Sequence, residues 1–109
     1  MKRHQVIILP SAERDIDEAY AWIAEQDAAA AIRWYNRLQE VIFSLGAFPE
    51  RAPLAPESKS FNQTIREVFH GRRQHKYRIL FIVTENEVHV LHIRHGARLA
   101  LGENPPPEE

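Results

Sequence analysis

Two apolar runs near the C-terminal end of the chain stand only two residues apart. Tyr77–Thr84 reads YRILFIVT, Glu87–Arg94 reads EVHVLHIR, and Glu85-Asn86 lies between them. Val, Ile, Phe and Tyr suit a pleated backbone, and Asn tolerates left-handed angles, so the pattern predicts an antiparallel hairpin with a tight turn. In the first run both alternating faces are apolar. Tyr77, Ile79, Phe81 and Val83 lie on one face and Leu80 and Ile82 on the other, with Arg78 as the interruption. A strand that is apolar on both sides is expected inside its sheet with both faces covered.

The period changes upstream. Gln5–Leu9 is a short apolar run stopped by Pro10 and predicts a strand. Ser11 has the chemistry of a helix cap, and Ala12, Ile16, Ala19, Tyr20 and Ile23 then recur at helical spacing, with Glu13, Asp15, Asp17 and Glu18 off the stripe. Asp27 is placed to cap a second helix. Its stripe is Ala31, Trp34/Tyr35, Leu38, Val41/Ile42 and Leu45, ended by Gly46 and Pro49. So short a link predicts an antiparallel helical hairpin. Trp22, Trp34 and Tyr35 fall on or beside the stripes and read as packing residues. Pro49–Gln63, with three prolines, reads as a surface loop. Thr64–His70 predicts a third strand, and His70–Lys76 a basic turn into the hairpin.

The expected fold is therefore α+β: an N-terminal strand, a helical hairpin, then a three-stranded antiparallel meander in one sheet packed on the helices. Residues 1–102 form a single domain in this reading, and 103–109, rich in Pro and Glu, a disordered tail.

Composition adds limits. The chain has 109 residues and no cysteine, which excludes disulfides and thiol chemistry and is compatible with a reducing cytoplasm. No apolar run approaches the roughly 20 residues of a membrane span. The net charge is −1, but Arg66–Arg98 holds seven Lys/Arg against three Glu, while the remainder holds seven against twelve Asp/Glu. Five of the six histidines lie in that basic stretch. A cationic face points to an anionic partner.

His89, His92 and His95 are spaced by three. On an alternating strand His92 points away from the other two, which sit roughly 20 Å apart, so no metal site is expected. No cofactor-binding motif is present. The chemistry that remains is Arg and His: Arg66, Arg78, His92, His95 and Arg98, with Arg72, Arg73, His75, Lys76 and Arg94 nearby. Arginine holds phosphate through a planar fork and histidine moves protons near neutral pH. RNA cleavage by 2′-hydroxyl attack uses both properties, whereas docking an acidic protein uses only the first. The residues leave both classes open.

The hairpin, Y-R-I-L-F followed by V-H-V-L-H-I-R-H-G-A-R, resembles the RelE/ParE superfamily of bacterial type II toxin–antitoxin toxins, also known as plasmid stabilisation proteins. The resemblance runs from Val6 to Arg98. It implies a growth-inhibiting cytoplasmic toxin neutralised by a cognate antitoxin, with DNA gyrase or the ribosome and its mRNA as target. By this resemblance Arg78 and Arg98 stand at phosphate-binding positions of RelE-type ribonucleases, and Arg66 on the strand that carries their basic residues. Leu99–Asn104 lacks the tyrosine those enzymes keep after the last arginine, which tilts the expectation towards a ParE-like gyrase inhibitor. The alternative is a metal-independent, ribosome-dependent mRNA endonuclease using Arg66, Arg78, His92, His95 and Arg98.

Overall fold

The computed structural model describes residues 3–72 and 75–95. Strand β1 (Gln5–Ile8) leads into helices α1 (Pro10–Gln26) and α2 (Ala28–Ser44). A single 3-10 turn (Pro49–Arg51) and a short helix α3 (Glu57–Ser60) follow, then strands β2 (Arg66–His70), β3 (Tyr77–Val83) and β4 (Glu87–His95). The sheet order is β1-β4-β3-β2. The meander is antiparallel as its patterning predicts, and β1 adds to β4 in parallel, Gln5 opposite Glu87. The predicted tail, and Arg98 with it, lies outside the described residues.

The helices cover one face of the sheet. Ala12, Ile16, Ala19 and Ile23 of α1 and Ala31, Trp34, Leu38 and Ile42 of α2 pack on Ile79, Phe81, Val88, Val90 and Ile93. The other face of β3 is covered as well. Leu80 packs with Ala55 and Ile65, supported by Ile82 and Leu91, in a small second core. Thus the segment between α2 and β2, expected to be a loop, supplies a lid and a helical turn. Its apolar residues shield the second greasy face, which is why β3 reads apolar on both sides.

The cap of α1 differs from expectation. Leu9 is the cap residue and makes no side-chain bond, while Pro10 occupies the first turn. Proline suits that position because its missing N–H would have no helical partner. The Ser11 hydroxyl instead donates to the Leu91 carbonyl at 2.7 Å. Asp27 does cap α2, accepting from the Ala30 N–H at 3.1 Å.

The reason for the Ser11 contact is a β-bulge. Leu80 pairs with His92 and Phe81 with Val90, so Leu91 is an extra residue in β4. A bulge disrupts the ladder and leaves backbone groups to be satisfied elsewhere. Helix α1 satisfies them: Ser11 takes the Leu91 carbonyl and Asp15 Oδ2 accepts from the Ile93 N–H at 3.0 Å. The bulge also reverses alternation beyond it. His89 opposes Ile82 on the outer face, whereas His95 opposes Tyr77 on the helix face. The two histidines therefore do not share a face, contrary to strict alternation.

Candidate functional site

Arg78 projects from the outer face of β3 and is almost fully buried. Its guanidinium meets Glu57 Oε1 at 2.7 Å and Glu67 Oε1 at 2.9 Å. Glu57 comes from α3 and has no exposed surface; Glu67 comes from the adjacent strand β2. Burial alone would lower the Arg78 pKa, but hydrogen bonds and charge from the two carboxylates outweigh it and hold it above the ordinary value. The side chain is an internal ion-pair hub that ties α3 to the sheet.

Arg66, at the start of β2, is also engaged. Its Nη1 donates to the carbonyls of Glu50 at 2.9 Å and Ala52 at 2.7 Å, bracing the segment after α2. His92 sits at the bulge with Nδ1 2.8 Å from Asp15 Oδ2. His95, at the end of β4, packs edge-on against Tyr77, with centroids 5.1 Å apart, and against Trp22 at 6.1 Å. Of the sequence-selected residues, Arg78 lies on the outer face with Glu57 and Glu67, His95 on the helix face, and His92 between β4 and α1. The described residues do not bring these four side chains to one point. Among the described residues no group of three His, Cys, Asp or Glu side chains is placed to hold a metal ion.

Rings form a continuous chain on the helix side. His70 contacts Trp34, Trp34 contacts Tyr77, Tyr77 contacts His95, His95 contacts Trp22 and Trp22 contacts His75, with centroid separations from 5.1 to 6.1 Å. Trp34 is a core residue, as its place on the stripe predicts, while Trp22 and Tyr35 stay partly exposed at the margin. His70 is buried and its Nε2 lies 3.1 Å from the Trp34 carbonyl. A carbonyl only accepts, so Nε2 carries the proton. Burial pushes the His70 pKa below its ordinary value; the Trp34 carbonyl opposes this and the positive charge of Arg37 adds to it.

Beside this chain, a cleft of about 870 Å³ opens between α2 and the turn after β2. Arg33, Arg37 and Glu40 line one wall; His70, Gly71, Arg72 and His75 line the other, with Trp34 and Val41 below. Sequence reading placed attention on the hairpin and missed the α2 arginines. The available signal was their spacing: Arg33 and Arg37 stand one turn apart, flanking Trp34 on the apolar stripe.

The sequence matches, over residues 6–100, the model of a family described as "ParE toxin of type II toxin-antitoxin system, parDE". Among solved structures the fold is similar to a chain of the "Chromosomal ParDE TA system from P. aeruginosa". The two are 16% identical with a TM-score of 0.68, covering 85% of this chain and 96% of that one. No curated protein matches.

Proposed function

This chain belongs to the ParE toxin family of type II toxin–antitoxin systems, and we propose that it arrests growth by binding DNA gyrase and is neutralised by a cognate antitoxin. The family match over residues 6–100 carries the reading. The state of the hairpin's basic groups supports a binder over a nuclease. Arg78 is neutralised by two carboxylates, Arg66 is held by two carbonyls, and His92 is tied to Asp15. A ribonuclease needs cations and proton carriers directed at a phosphate, and these three are directed into the protein. Acting on gyrase places the protein in the cytoplasm; among the described residues no helix is long and apolar enough to cross a membrane.

The antitoxin segment in this reading is acidic and amphipathic and folds on binding. Exposed Ile32 and Phe43 on α2 and Phe69 on β2 supply apolar contacts, and the arginines of α2 supply charge. Induction without the antitoxin, with gyrase supercoiling and mRNA integrity followed separately, tests the proposal. Loss of supercoiling with intact mRNA is expected. Ribosome-dependent mRNA cleavage with unchanged supercoiling would replace it by the endonuclease reading, in which Arg98 joins Arg66, Arg78, His92 and His95.

A further inference from the structure

The cleft between α2 and the β2–β3 turn holds charge and hydrogen-bonding capacity that the described residues do not satisfy. Arg33, Arg37 and Arg72 line it, and none of them makes an ion pair or side-chain hydrogen bond among the described residues. This contrasts with Arg66 and Arg78, which are held by carbonyls and carboxylates of the protein. Trp34 and His75 line the cleft as well, with their nitrogens Nε1 and Nε2 buried away from solvent.

The unsatisfied groups specify a ligand. Guanidinium groups are only donors, so the ligand supplies acceptors. Among the described residues that line it, three arginines against one Glu40 leave two positive charges when the histidines are neutral. A carboxylate would cancel one; a phosphate monoester, carrying about −1.5 to −2 near pH 7, cancels both. The volume of about 870 Å³ is far larger than one anion needs and lies in the range of small-molecule sites. Ala30 and Val41 give its wall apolar surface for an organic group.

We infer that this cleft is a binding site for a phosphate monoester, with Arg33, Arg37 and Arg72 balancing its charge and donating to its oxygens. Gly71, which precedes Arg72 at the cleft, has a φ of 98°, open to glycine and strained for other residues. The inference goes beyond the gyrase reading and does not depend on the cellular target.

The chain has two tryptophans, so the ¹⁵N-labelled full-length protein gives two indole N–H signals, and Trp22→Phe assigns the one from Trp34. The protein is titrated at constant ionic strength with inorganic phosphate, a nucleoside monophosphate, chloride and a Glu-rich peptide. Saturable movement of the Trp34 signal with both phosphates and not with chloride is expected. Tighter binding of the nucleoside monophosphate identifies an ester as the source; equal affinity identifies the free phosphate group as sufficient. Arg33→Gln and Arg37→Gln, with unchanged circular dichroism, are each expected to weaken binding by about tenfold, as loss of a charge-assisted contact does. A Trp34 signal that no phosphate moves beyond the chloride control overturns the inference, as does movement by the acidic peptide alone. So does unchanged phosphate affinity in both arginine variants.

Discussion

Arg78 Nη2 and Glu57 Oε1 meet at 2.7 Å on the outer face of the sheet, and Glu57 is completely enclosed. Arg78→Ala removes the guanidinium that both carboxylates meet, one of them fully buried. Removing one partner of a buried pair costs about 3–5 kcal/mol, so the variant is expected to unfold at much lower urea. A stability within about 1 kcal/mol of wild type is what an exposed pair would give and would show that the hub contributes little.

Asp15 secures the bulge by accepting from the Ile93 N–H and engaging His92. Asp15→Ala strands a partly buried backbone donor, and a loss of about 1–3 kcal/mol is expected. In a double-mutant cycle with His92→Ala the two losses are expected to fall short of additive, because both changes break one contact. Strict additivity in thermal or urea unfolding would separate His92 from the bulge.

The buried His70 ring makes stability depend on pH. Its folded pKa lies below the unfolded value near 6.5, so as pH falls through that value the unfolded chain takes up a proton first. The neutral ring's contribution is therefore present above about pH 6.5 and lost as pH falls towards the folded pKa. Arg37, the other charge acting on the ring, stays positive throughout and reinforces the trend. Urea unfolding followed from pH 8 to pH 5 is expected to show this slope, and His70→Gln to reduce it.

Gly71→Ala tests the turn over the cleft. An added Cβ would collide with the His75 carbonyl, and the positive φ would be strained as well. The expected loss is at least about 1–3 kcal/mol, the usual cost of a strained backbone position. Its Trp34 indole signal is also expected to move, since Trp34 lies against His70, the neighbour of Gly71.

The helices and hairpin were legible because their periods are unambiguous: Ala12, Ile16, Ala19 and Ile23 repeat at helical spacing, and β3 is apolar on both faces. Alternation also placed Arg78 on the face opposite Ile79. What it could not supply was the partner. Glu57 sits among prolines and polar residues, a composition that signals a surface loop, and only the fold brings it under β3. The bulge at Leu91 was invisible for a related reason, since an extra strand residue leaves the local pattern of apolar types intact while reversing the side-chain direction beyond it. The charge count had the same weakness. It credited Arg66 and Arg78 to a cationic surface, yet both are consumed internally, while Arg33 and Arg37 of the acidic half make no ion pair among the described residues and stand beside the cleft.

Strand β1 has one neighbour in the sheet, and that neighbour is β4. Gln5–Ile8 pairs with Glu87–Val90, so the first of the described strands is completed by the last of them. At roughly 5–20 residues per second, synthesis holds these partners apart for seconds. Pairing across so long a stretch of sequence is slow because the loop must close before the contacts can form. A nascent copy of the toxin therefore has an incomplete sheet until β4 has left the ribosome. During those seconds translation has begun but no folded toxin exists.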